Sequence, residues 1–151
     1  MKTNELTNGQ YFKQEVGVGR KIDLPTMNII VYFHQERTWS YASNDECEPL
    51  TFDEAILETV QNCIKYPQPV EPIPENTVKL HQLSNRHFCI DVEVGQVCRK
   101  LSLGVNNTIL VYFDDGPEPV FVSVRCSIGN WKVIPISLQQ GLLHIIEQTC
   151  K

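Results

Sequence analysis

Apolar and polar positions fall into two patterns along this chain, and both patterns occur twice. A continuous run, Ile29, Ile30, Val31, Tyr32 and Phe33, is echoed by Ile109, Leu110, Val111, Tyr112 and Phe113. Runs of β-branched and aromatic residues without alternation predict strands covered on both faces. The second pattern has the helical period. Phe52, Ala55, Ile56, Thr59, Val60, Cys63 and Ile64 fall on one stripe of a helix running from Thr51 to about Tyr66. Leu138, Leu142, Ile145 and Ile146 do the same for a helix from Leu138 to Thr149. Each helix is opened by a capping box, Thr51 with Glu54 and Ser137 with Gln140. Superposed by their caps, Gly141 falls on Ala55 and His144 on Glu58, and the shared small residue predicts a close backbone approach.

Further strands are expected at 11–18, 20–24 and 38–43, with Gly17 and Gly19 as a turn or bulge, and at 78–82, 86–94, 97–103, 119–127 and 130–135. Upstream echoes join them: Glu15-Val16-Gly17 with Glu93-Val94-Gly95, and Arg20-Lys21 with Arg99-Lys100. The first ten residues are polar and read as frayed. Between the halves, residues 66–75 hold four of the nine prolines. Proline fixes φ and removes donors, so this stretch reads as an extended spacer reaching about 30 Å. The reading is therefore α+β: a first ββββα unit over 11–66, a proline-rich linker over 67–77 and a second β-rich unit with its helix over 78–150. A tandem repeat of an antiparallel sheet unit with one C-terminal helix each is expected to pack as an intramolecular pseudo-dimer, one continuous body rather than two beads.

Charge narrows the function classes. The net charge is −5, and the thirteen Lys and Arg are scattered. Phosphate binding needs a cationic face, so a nucleic-acid partner is not expected. No apolar run is long enough for a membrane span, and Met1 to Leu6 lacks the apolar core of a signal peptide, so the expectation is a cytoplasmic protein. The six cysteines form no C-x-x-C pair and are expected to be reduced.

Candidate chemistry gathers in the second half. His87, Cys89 and Asp91 alternate along one strand and share a face, the residue types of a cysteine nucleophile with its base. Neighbours on one strand face lie about 7 Å apart, too far for a direct thiol–imidazole hydrogen bond, so an outer sheet face that happens to be polar is the preferred account of them. His81, His87, Cys89 and Cys98 could supply soft metal ligands, the two cysteines on adjoining strands of a hairpin, but their spacing matches no common zinc module. Asp114, Asp115 and Glu118 are explained by turn formation. His34 reads as a turn residue. Trp39 and Trp131 read as sheet residues.

In length, duplicated strand-rich plan and reduced cysteines, carried by the paired Ile-Val-Tyr-Phe and Leu-Val-Tyr-Phe strands, the chain resembles a family of small cyanobacterial domains of unknown function. That resemblance assigns no functional residue. By elimination the leading reading is a non-enzymatic protein-interaction or binding module, its partner another protein, a basic one being the natural complement of its acidic surface, with no cofactor invoked. The alternative is a small-molecule sensor or enzyme with a pocket at the junction of the repeats. A homodimer formed through a sheet edge or the helices is the third reading.

Overall fold

A computed structural model describes residues 1–15, 17–25, 27–33, 39–65, 77–83, 87–93, 95–102, 108–113 and 132–149. These fall into two compact units, one holding the described residues up to 65 and the other those from 77 onward. The architecture is α+β, with two five-stranded antiparallel sheets and two helices. Among the described residues no helix is long and apolar enough to cross a membrane. The expected strand 119–127, the proline linker up to residue 76, His34, Trp131 and the Asp114 to Pro117 turn lie outside the described residues.

The first unit runs from a 3-10 turn at Thr3–Glu5 through β1 (Tyr11–Gln14), β2 (Gly17–Asp23), β3 (Asn28–Tyr32), β4 (Trp39–Tyr41) and β5 (Glu48–Leu50) to α1 (Phe52–Lys65). The strand order is β4-β3-β2-β1-β5. α1 covers one face of the sheet: Phe52 packs on Tyr11, and Ala55, Ile56 and Thr59 are buried. The Thr51 N–H donates to Glu54 Oε1 (3.0 Å) and the Glu54 N–H to Thr51 Oγ1 (3.2 Å), the capping box expected from the sequence. Ile64, assigned to the buried stripe, is instead 77% exposed. It lies about 120° around the helix from Phe52, at the margin of a stripe centred between Thr59 and Cys63.

The first ten residues are not frayed. Leu6 packs with Phe12, Ile30 and Tyr32 on the sheet face opposite α1, and the Thr3 and Asn4 N–H groups donate to the carbonyls of Asp45 and Ser43 (both 3.0 Å). One leucine and a backbone ladder hold a segment whose composition is otherwise polar. The turn expected at Gly17 and Gly19 is also displaced. The chain reverses just after β1, and β2 runs unbroken through Gly19, where an added Cβ would lie 2.7 Å from Phe12 Cζ and 2.8 Å from the Val31 carbonyl oxygen. Gly19 makes room for the Phe12 ring.

β2 carries Arg20 and Lys21, both buried. Alternation sends them to opposite faces. The Arg20 guanidinium stacks 4.8 Å over the Tyr11 ring, and its Nε donates to the Gly9 carbonyl (2.8 Å). Lys21 Nζ donates to the carbonyl of Leu6, the residue closing the 3-10 turn (3.0 Å).

The second unit comprises β6 (Val78–Lys79), a 3-10 turn at Leu80–Gln82, β7 (Phe88–Asp91), β8 (Val97–Ser102), β9 (Thr108–Tyr112), β10 (Lys132–Ile136) and α2 (Leu138–Thr149). Its order is β6-β10-β7-β8-β9. The strand expected over 78–82 therefore stops at Lys79, and the 3-10 turn follows. Arg99 stacks 4.9 Å over Phe88, while Lys100 Nζ donates to the carbonyls of Leu80 (2.8 Å) and Leu83 (2.6 Å), the latter closing the 3-10 turn. The α2 capping box is formed by Ser137 and Gln140. The close approach expected at Gly141 is helix to sheet: a Cβ there would lie 3.0 Å from Val97 Cγ1 and 3.2 Å from Ile136 Cδ1.

Candidate functional site

Two places concentrate chemistry, one in each unit. In the second, β7 is a regular strand, so Cys89 and Asp91 share a face as expected, but that face is the core and not a polar exterior. Cys89, Cys98 and Asp91 are fully buried, with Leu80, Leu83, Leu110, Tyr112 and Val133 around the two thiols. The partner brought to Cys89 is Cys98, directly across the β7–β8 pair, with Sγ to Sγ 3.4 Å. Asp91 accepts from the Tyr112 hydroxyl (2.6 Å) and from the Glu93 N–H (3.0 Å). Burial, reinforced by the hydrogen bond to Asp91, drives the Tyr112 pKa far above its ordinary value. The hydrogen bond with Cys89, then burial, pushes the Cys98 thiol well up, and burial lowers Lys100.

His87 is half-buried ahead of β7, and His81 is exposed on the 3-10 turn. Among the described residues no group of three or more His, Cys, Asp or Glu side chains is placed to hold a metal ion, so His81, His87, Cys89 and Cys98 are not gathered into a ligand set. The pairing of the two cysteines follows from the hairpin register, which the sequence hinted at by placing them on adjoining strands.

The second place, in the first unit, was not anticipated. Lys13 points from β1 to the α1 side of the sheet, where its Nζ lies 3.2 Å from Glu58 Oε1 on α1 and 3.5 Å from Glu48 Oε2 on β5. These residues line an open cleft of about 370 Å³ with Gln14, Glu15, Gly17 and Asn62. Its three carboxylates face one ammonium. The hydrogen bond and charge of Glu58, with the charge of Glu48, raise the Lys13 pKa. Nearby Glu54 is held below the ordinary carboxylate value, chiefly by the Thr51 capping hydrogen bonds and to a smaller degree by Lys13. Three carboxylates against one ammonium give the lining a formal surplus of negative charge. The signal for it was slight: a lone lysine in a strand that pairs with another bearing a glutamate, and a glutamate on the flank of α1.

Comparison with known protein families, with curated proteins and with solved structures finds no match.

Proposed function

We propose that the protein is a non-enzymatic binding module whose first unit receives a basic segment of a protein partner in the cleft around Lys13. Part of this reading is that the two units are copies of one plan, in which one copy acquired the cleft. Support for the copies is residue by residue. Arg20 and Arg99 stack on the aromatic first residues of β1 and β7, Lys21 and Lys100 close the two 3-10 turns, and Tyr32 and Tyr112 donate to Gln14 and Asp91, the last residues of those strands.

The observation carrying the function is where the correspondence fails. Lys13 pairs with Val18 and Glu48, and in the same register Ile90 pairs with Val97 and Ile134. Glu15, directly after β1, stands where Val92 directly follows β7, the sequence echo with Glu93 being out of this register by one residue, and Glu58 is matched by His144, whose Nε2 lies 3.0 Å from the Gly95 carbonyl oxygen. The second unit builds the same strands and helix with Ile90, Ile134 and Val92 at three of these charged places and His144 at the fourth. The charged cluster is thus not a requirement of the fold, and solvent-accessible ion pairs such as Lys13 with Glu58 and Glu48 contribute little to stability. Surplus negative charge in an open cleft instead suits cationic side chains, speeds their encounter and selects against acidic partners.

The test is the affinity of a fluorescent octa-arginine peptide for the wild type and for the rim variant Glu15→Lys. Binding that weakens with salt and falls at least fivefold in the variant supports the reading. Equal affinity for both proteins, or equal affinity for an octa-glutamate control, overturns it.

A further inference from the structure

We propose that Cys89 and Cys98 are a reversible oxidation site, closing to a disulfide across β7 and β8 by exchange with a small-molecule disulfide. Two backbone bonds flank the pair, Lys100 N–H to the His87 carbonyl and Asp91 N–H to the Gln96 carbonyl (both 3.0 Å). Alternation along an antiparallel ladder then makes Cys89 and Cys98 a hydrogen-bonded pair, whose Cα atoms stand about 5.5 Å apart. That separation lies within the range a disulfide spans, about 4.4 to 6.8 Å. The sulfurs are already 3.4 Å apart, so side-chain rotation brings them to bonding distance without moving a strand.

The corresponding place in the first unit shows what the core itself requires. There Phe12 faces Gly19, one large side chain against none. The second unit fills the same space with two medium side chains. Packing alone is met by either solution, and only the second brings two thiols together.

The chemistry balances as ordinary exchange. One cysteine, as thiolate, attacks a sulfur of the small disulfide, forming a mixed disulfide and releasing one small thiolate, which takes up the proton lost in ionisation. The second cysteine, as thiolate, then attacks the protein sulfur of the mixed disulfide. The Cys89–Cys98 bond forms, the mixed bond breaks, and the second small thiolate leaves and is protonated. The protein dithiol is oxidised and the small disulfide is reduced. Both thiols are buried, so exchange runs through a locally opened hairpin. A solvated cysteine thiol ionises above neutral pH, so in the opened hairpin the thiolate fraction, and with it the rate, should rise with pH.

The experiment equilibrates the native reduced protein with mixtures of reduced and oxidised glutathione, quenches with acid, alkylates free thiols and maps the peptides. The expected product takes up no alkyl group at Cys89 or Cys98, joins the two in one disulfide-linked peptide pair, keeps the native circular dichroism spectrum and reverts with reductant. Its urea midpoint should lie above that of the reduced form. A lasting glutathione adduct on either residue, a link to another cysteine, or both thiols recovered reduced across the whole series overturns the proposal. No variant is needed, so the outcome does not depend on a substituted core folding.

Discussion

Tyr112 and Asp91 meet inside the second sheet through a 2.6 Å hydrogen bond, and in the first sheet Tyr32, the last residue of β3, meets Gln14, the last of β1, at 3.0 Å. The two contacts are alike in place and unequal in consequence. Asp91 is fully buried, whereas Gln14 is half-buried and can turn its amide toward water. Tyr112→Phe should therefore cost about 2 to 3 kcal/mol, and Tyr32→Phe about 1 kcal/mol. Urea denaturation of the two variants measures the difference.

The same tyrosine sets an alkaline limit. Its folded pKa lies above the unfolded value near 10, so its contribution to stability is fully present below about pH 10 and is lost as pH rises further. Lys13, also raised, acts in the same direction above its ordinary 10.5, though weakly because it is solvated. Spectroscopic titration should show tyrosine ionising late, as the protein unfolds. In Tyr112→Phe the amplitude of that late step should fall by one tyrosine.

Lys21 and Lys100 are buried cations whose donors satisfy the carbonyls of Leu6, Leu80 and Leu83. Methionine at either position keeps most of the stem and removes the donor to the Leu6 or Leu83 carbonyl, while Leu80 still accepts from the Leu83 N–H (3.2 Å). Each substitution should cost about 1 to 3 kcal/mol. Hydrogen exchange should locate the loosening in the 3-10 turn of the affected unit, with the other unit's 3-10 turn unchanged.

The two tightly packed glycines should respond differently to alanine. At Gly19 the new methyl meets an aromatic ring and a carbonyl oxygen below 3.0 Å, so Gly19→Ala should cost about 1 to 3 kcal/mol by overpacking. At Gly141 it meets only the methyl ends of Val97 and Ile136, and the helix gains about 1 kcal/mol in propensity. Gly141→Ala should lie within about 1 kcal/mol of the wild type. Thermal melts of both proteins decide it.

These residues also show what the sequence could reveal. The helices, their caps and the covered strands β3 and β9 were legible because each is a local pattern. The Arg-Lys echo was visible too, though its meaning was not: alternation sends one cation over an aromatic ring and the other to a turn, and that depends on what covers each face. β5 escaped notice because three residues that include Pro49 carry no period. The N-terminal segment escaped because one buried leucine outweighs its polar composition. The cleft was hardest to see, since Lys13, Glu48 and Glu58 meet only after a strand, its neighbour across the sheet and a helix have packed.

The most direct test of the account is amide chemical-shift mapping on the isotopically labelled protein during titration with the octa-arginine peptide. Shifts confined to Lys13, Gln14, Glu15, Gly17, Glu48, Glu58 and Asn62, and suppressed by salt, are the expected result. Shifts that leave these residues unmoved, or that fall equally on Ile90, Val92 and Ile134, would contradict it.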